Sequence, residues 1–446
     1  MRSLVFTIAV LASASAPGSA DGPDPAAAAP AAQPAAQSET EAKHNHSAGQ
    51  DAGHAVFKPE ILWTNASVPL LFPVQWLAVS SQGTLLAGSL FSKTFYAYNI
   101  YTGECKARQT LPAPALTAPL IVGQSAFFSD MSTVLTAFDT ETCESTWERF
   151  PQRAPKRSSD LRQQLPRPRV CKTRPLLYND KLVTMNTDGL IVFYPNKAPS
   201  EGGIPDFLRL QTSPDERGTF LNTPAIHRQI LYACTTAGHL HFVNLNNIDE
   251  RGMLKNHVDS PEDTIAKEVR VPIAVSSRHI YLTTMDGTVY CYRAFRKYVG
   301  SKFVPPQLLW HTKLSGRHRY QSNRRGRPIA MPVLDESQST LFINAKDCAQ
   351  ALDAETGEKL WEHSVPQGIA APPLIWNRYL IIISEPHKNI PAKLVALDPG
   401  SGATLAFREL PGAPSCEPLL WGDYLVLGYR NGYAECYHLG KAETNN

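Results

Sequence analysis

The sequence predicts an all-β chain forming one eight-bladed β-propeller of four-stranded antiparallel blades, with seven blades as the alternative count. Three observations carry this. First, a proline opens a short apolar strand at Phe72-Pro73-Val74, Ala118-Pro119-Leu120, Arg174-Pro175-Leu176, Thr223-Pro224-Ala225, Val271-Pro272-Ile273, Met331-Pro332-Val333, Pro372-Pro373-Leu374 and Glu417-Pro418-Leu419. Successive openings lie 46, 56, 49, 48, 60, 41 and 45 residues apart, and a period of that length implies stacked repeats. Second, the same order recurs behind each proline: an apolar strand, a polar turn, a β-rich strand, a second turn and an alternating strand. Glycine marks the second turn at Asp188-Gly189, Asp286-Gly287 and Asn431-Gly432. Third, the last unit stops one strand short at Tyr437-His438-Leu439. Glu60-Ile61-Leu62-Trp63, which has no strands before it, looks like the fourth strands Gln307–Trp310 and Glu358–Trp361. The amino-terminal strand is therefore expected to complete the last blade and remove a free sheet edge.

The elements follow in order. Residues 1–20 read as a secretory signal peptide: Arg2, the apolar run Leu4 to Ala12, and small residues ending Gly18-Ser19-Ala20. That run is far shorter than the roughly 20 residues of a membrane span. Residues 21–57, rich in Ala, Pro, Gln and Ser, read as a disordered linker, because they offer too little apolar surface to offset the entropy of ordering. The propeller occupies residues 58–440 and a short tail residues 441–446. No transmembrane segment follows the signal, and the expected location is periplasmic or extracellular.

Within the propeller, Ala351-Leu352-Asp353-Ala354-Glu355-Thr356-Gly357-Glu358-Lys359-Leu360-Trp361 holds the clearest repeat. Asp353, Thr356 and Gly357 form the turn between third and fourth strands, Ala351 is small where blades stack, and Trp361 is expected to cover the junction with a neighbouring blade. The same pattern runs from Ala137 through Asp139 to Trp147, with Cys143 in the glycine position, and partly from Ala396 through Asp398 to Gly402. Trp63 and Trp310 occupy the corresponding tryptophan position.

This pattern, A-x-D-x-x-T-G-x-x-x-W, resembles the repeat of the pyrroloquinoline-quinone-like propeller family, whose docking residues the tryptophans look like. No tryptophan is followed by Asp, as a WD repeat would require. The resemblance implies the fold and two kinds of activity. Quinone-dependent alcohol dehydrogenases of the family carry adjacent cysteines over the cofactor; here no two cysteines are neighbours and there is no C-x-x-C-H. Non-catalytic members are similar to the outer-membrane assembly lipoprotein of Gram-negative bacteria, but no lipidated cysteine follows the signal here.

The eight cysteines, in an oxidising compartment, would suggest disulfides. Cys291 and Cys436, however, fall where related units have alanine and read as small buried thiols. Cys105 and Cys143 sit beside turns and either pair or stay free. His44, His46 and His54 read as a solvated tail. His239 and His241 read as sheet positions without a third metal ligand. Asn65-Ala66-Ser67 fits an N-glycosylation acceptor, relevant only in a eukaryotic route. No metalloprotease, hydrolase, phosphate-loop or EF-hand motif appears.

Basic and acidic residues nearly cancel, 43 against 40, so no field over the whole chain points to nucleic acid. Charge is segregated, though. Arg149 to Arg174 contributes +8, including Arg157, Arg162, Arg167 and Arg169, and Lys313 to Arg327 contributes +6, including Arg317, Arg319, Arg324, Arg325 and Arg327. With a total of +3, the remainder carries 3 − 14 = −11. Both segments join the outer strand of one blade to the inner strand of the next, and such connections emerge on one face. They read either as a basic patch for an anionic partner, a protein or an envelope polymer, or as two solvated loops. The function expected is a monomeric, non-catalytic scaffold, with no cofactor. The alternatives are a quinone-dependent redox enzyme, which would need pyrroloquinoline quinone and calcium, and a carbohydrate-binding module, for which Trp76, Trp376 and Trp421 would have to be exposed rather than buried.

Overall fold

The computed structural model describes residues 57–64, 70, 72–132, 134–149, 173–187, 189–196, 206–209, 219–245, 262–265, 267–294, 297–299, 302–304, 307–315 and 331–440. These form eight four-stranded antiparallel sheets and one separate hairpin. Blade 1 comprises Trp76–Val79, Thr84–Gly88, Thr94–Asn99 and Cys105–Thr110; blade 2, Leu120–Val122, Ser125–Ser129, Leu135–Asp139 and Ser145–Arg149. Blade 3 comprises Leu176–Tyr178, Lys181–Met185, Leu190–Pro195 and Asp206–Arg209; blade 4, Ala225–His227, Ile230–Cys234, His239–Asn244 and Glu262–Thr264. Blade 5 comprises Ala274–Val275, His279–Thr283, Thr288–Arg293 and Leu308–Lys313; blade 6, Val333–Leu334, Thr340–Asn344, Cys348–Asp353 and Lys359–Ser364. Blade 7 comprises Leu374–Trp376, Tyr379–Ile383, Ala392–Leu397 and Thr404–Leu410. Blade 8 takes Leu419–Trp421, Tyr424–Gly428 and Ala434–His438 from the end of the chain and Glu60–Thr64 from its beginning.

That closure has a defined register. Ile61 pairs with Tyr437 and Trp63 with Cys436, and Lys58 donates its backbone N–H to the Leu439 carbonyl at 2.8 Å. Because blade 8 has its break where other blades have a third-to-fourth-strand turn, the incoming chain supplies the missing turn residue. Phe57 packs on Trp376 and Tyr379 of blade 7, as Tyr101 of the blade 1 turn packs on Trp421 and Tyr424 of blade 8.

The apolar interior is divided into eight clusters, one at each junction between neighbouring blades, including the junction of blade 8 with blade 1. This explains why the second strand of blade 7 reads as an unbroken apolar run. In Tyr379-Leu380-Ile381-Ile382-Ile383, Ile381 and Ile383 face blade 8 while Leu380 and Ile382 face blade 6. A two-residue period with both faces covered favours apolar residues at every position. Outer strands cover only one face and alternate accordingly, as in the blade 1 strand Cys105-Lys106-Ala107-Arg108-Gln109-Thr110.

Prolines precede the inner strands directly in blades 2, 3, 4, 6, 7 and 8; Pro73 and Pro272 lie one or two residues further back. Proline is tolerated there because a strand's first residue need not donate to the ladder. Trp76, Trp376 and Trp421 are buried. The hairpin Lys297–Val299 and Lys302–Val304 is inserted between the third and fourth strands of blade 5. It accounts for part of the 60-residue interval between Pro272 and Pro332.

Candidate functional site

Alternating strand direction gives the ring two faces. First-to-second and third-to-fourth turns open on one, here the turn face; second-to-third turns and blade-to-blade connections open on the other, the connection face.

The repeat residues build the junctions on the turn-face side. Asp353 accepts hydrogen bonds from the backbone N–H groups of Glu355 at 2.9 Å and Thr356 at 2.8 Å. Asp139 accepts the equivalent pair from Glu141 and Thr142, and Asp398 accepts from Ser401 N–H at 2.8 Å. These bonds hold the Asp139 and Asp353 carboxyls below the usual carboxylate range, led by the backbone N–H of Thr142 and of Thr356. The turns end on glycines at positive φ, Gly103 (72°), Gly357 (75°) and Gly402 (71°).

On each of these glycines lies a tryptophan of the preceding blade. A Cβ on Gly103 would come within 2.6 Å of Trp63, one on Gly357 within 2.5 Å of Trp310, and one on Gly402 within 2.5 Å of Trp361. Trp63 and Trp361 donate their indole N–H to Ile100 O and Pro399 O, both at 2.7 Å. The corresponding carbonyl for Trp310 is that of Ala354. It receives the Tyr281 hydroxyl at 3.2 Å, and Trp310 Nε1 is left without a partner. Where the preceding blade carries Ala107 in place of tryptophan, the turn holds Cys143 at φ 61°. Gln109 donates to its carbonyl, and the thiol packs in the same cluster as Ala107. Trp147 packs on Phe127 at 5.9 Å within blade 2. The repeat residues thus serve structure.

Cys105, Cys143, Cys234, Cys291, Cys348 and Cys436 are free thiols. Cys291 and Cys436 face Trp310 and Trp63 across the ladder, as Ala351 faces Trp361.

The connection face carries the features open to a partner. Exposed apolar side chains stand there on consecutive blades: Ile390 on blade 7, Phe72 on the connection from blade 8 to blade 1, Phe91 on blade 1 (57% exposed) and Met131 on blade 2. A small recess beside them is lined by Leu70, Phe72, Ser89, Thr94, Tyr96 and Arg108, with the Arg108 guanidinium over the Tyr96 ring at 5.8 Å. Its cavity volume of about 20 Å³ is far below the roughly 300–1,000 Å³ of small-molecule and cofactor sites. The other exposed large apolar residues, Tyr101 apart, lie on outer strands: Ile61, Leu62, Leu308, Leu360, Leu405 and Phe407.

Nearer the axis on the connection face stand two opposite charges. Arg174 and Glu417 each immediately precede the proline that opens an inner strand, in blades 3 and 8. Arg174 Nε donates to the carbonyl of Pro119, the matching proline of blade 2, at 3.1 Å, and its backbone N–H donates to Thr223 Oγ1 of blade 4 at 3.3 Å. Burial pulls the guanidinium down and Glu417 pushes it back up; burial pushes the Glu417 carboxyl up and Arg174 draws it down. Both side chains nevertheless keep solvent contact. In the sequence Arg174 stands out only as the end of a basic run. The usable signal was a charged residue directly before a strand-opening proline.

Arg157, Arg162, Arg167 and Arg169 lie in residues 150–172, and Arg317, Arg319, Arg324, Arg325 and Arg327 in residues 316–330, outside the described residues. Among the described residues no three His, Cys, Asp or Glu side chains form a group that could hold a metal ion. No two cysteines are adjacent in the sequence either. No described helix is long and apolar enough to cross a membrane.

Eight closed four-stranded blades, with a tryptophan seated on the next blade's turn glycine at three junctions, define an eight-bladed β-propeller. Residues 55–198 match the family model described as outer membrane protein assembly factor BamB, in keeping with the resemblance read from the repeats. The crystal structure of BamB from Moraxella catarrhalis superposes with a TM-score of 0.57 at 13% identity, covering 85% of this chain and 100% of that one. The computationally designed Ika8 protein superposes with a TM-score of 0.58 at 12% identity, covering 83% of this chain and 97% of that one. At such identities the likeness concerns the fold. A sequence search of characterised proteins gave no match.

Proposed function

We propose that the chain is a non-catalytic scaffold that binds a protein partner through the connection face, exported by its amino-terminal signal to work at the cell envelope, in the periplasm or outside the cell. The observation that carries this is the series Ile390, Phe72, Phe91 and Met131, exposed on consecutive blades of one face. Exposed apolar side chains gathered on one face of a folded protein are a candidate contact surface. The matched family is named for assembly of outer membrane proteins, which agrees with an envelope partner. Both basic segments join blades on this same face by chain order, so an acidic protein surface is the partner they would steer towards it; an anionic envelope polymer would be drawn by the same charge.

The test is site-specific photo-crosslinking in the native envelope at positions 72, 91 and 131, with Lys106 on the outer strand of blade 1 as the control. The scaffold reading expects one shared adduct at the three face positions, absent from the control and lost in a Phe91→Asp, Met131→Asp variant that still folds. Adducts spread evenly over face and rim would contradict it.

A further inference from the structure

We propose that the opening of the propeller axis on the connection face binds a small dipolar ligand, its anionic group on the Arg174 guanidinium and its cationic group on the Glu417 carboxylate. The proposal rests on the fold and is independent of the scaffold reading.

Register places the two residues at one level, each next to a strand-opening proline and three blades apart in the ring of eight. Arg174 is anchored from both sides, by blade 2 through Nε and by blade 4 through its backbone N–H. That leaves Nη1 and Nη2 without any described acceptor. Glu417 has neither a hydrogen-bond donor nor a cation within 4.0 Å among the described residues, although its carboxylate and the guanidinium sense each other. Asn222, the residue before the hydroxyl that holds Arg174, is buried with both amide atoms unpaired, so hydrogen-bonding demand beside this level also exceeds the protein's own supply.

A direct structural ion pair would bring the two groups into contact. Here the ring holds them apart. A ligand carrying both charges completes both groups at once and finds its receptor already ordered, which removes much of the usual cost of association. Charge-assisted hydrogen bonds fix its orientation. The chemical class is therefore an amino acid, a short peptide or another compound with an ammonium and a carboxylate a few bonds apart.

Isothermal titration of the full chain with glycine, β-alanine, γ-aminobutyrate and ε-aminocaproate tests this, with acetate and methylammonium as single-charge controls. One spacer length is expected to bind at least about tenfold more tightly than either control. Arg174→Gln and Glu417→Gln should each remove at least about tenfold in affinity, the loss typical of a hydrogen bond to a charged group. Thermal melting checks that the variants fold. Glu417 makes no structural bond, so Glu417→Gln remains a valid test if Arg174→Gln does not fold. A series binding no better than acetate and methylammonium, or unchanged affinity in Glu417→Gln, would overturn the proposal.

Discussion

The indole of Trp63, in the first strand of the chain, lies so closely on Gly103 of blade 1 that a Cβ there would sit 2.6 Å from the ring. One contact thus joins the completed blade 8 to blade 1, and the same contact recurs at two further junctions.

Substitution at these glycines should be costly for two reasons that can be separated. Gly402→Ala forces a non-glycine residue to φ 71° and drives its Cβ into Trp361. Gly123 has a similar φ of 60° but open space around the missing Cβ. Urea titration should show Gly123→Ala costing about 1 kcal/mol and Gly402→Ala about 2–4 kcal/mol, the excess being overpacking. Equal losses would mean that the tryptophan gives way freely.

Tryptophan and turn residue should be coupled. Ala107→Trp alone would press an indole on Cys143, whereas Ala107→Trp with Cys143→Gly recreates the arrangement of Trp361 and Gly402. A double-mutant cycle should give a favourable coupling of about 1 kcal/mol or more. Additive effects would show that the junction reads its two sides separately.

The indole N–H matters where it has an acceptor. Trp361→Phe loses the 2.7 Å bond to Pro399, while Trp310 Nε1 has no bond to lose. Trp361→Phe should cost about 1 kcal/mol more than Trp310→Phe in chemical denaturation.

Burial makes the thiols inert. It pushes Cys234, Cys291 and Cys436 up to about 12 and Cys348 up to about 11, so little thiolate exists at pH 8. Maleimide labelling followed by mass spectrometry should leave these four unmodified in the native protein and modify all of them after denaturation. Rapid native labelling of Cys291 would contradict the packing under Trp310.

Acid should destabilise the ring below neutrality. Burial lowers His227 and His279, the former helped by Arg228 and the latter opposed by Glu355. A depressed folded value means that the unfolded chain takes up the proton first. The contribution of neutral imidazole is therefore fully present above an unfolded value of about 6.5 and is lost as pH falls towards the folded value. Melting between pH 7.5 and 5 should show this decline, and His227→Gln should flatten it.

How much of this was legible from sequence depended on whether the signal was local. The proline openings, the Asp–Thr–Gly turn and the strand-like Glu60–Trp63 were readable because each imposes a backbone rule within a few residues. That Ala351 and Cys291 are equivalent followed from register alone. The seating of Trp361 on Gly402, 41 residues away, and the role of Phe57 as a substitute turn residue depend on how neighbouring sheets stack, which no local pattern states. The hairpin at Lys297–Val304 was hidden inside a long interval, and Arg174 inside a basic run.

The ring is closed by Glu60–Thr64 pairing with Ala434–His438. Hydrogen–deuterium exchange with mass spectrometry tests it most directly. Peptides covering Glu60–Thr64 should be protected to the same degree as those covering Ala434–His438 and should lose protection together with them. Exchange of Glu60–Thr64 at the rate of an unstructured tail, with Ala434–His438 still protected, would contradict the closure and the shared faces that depend on it.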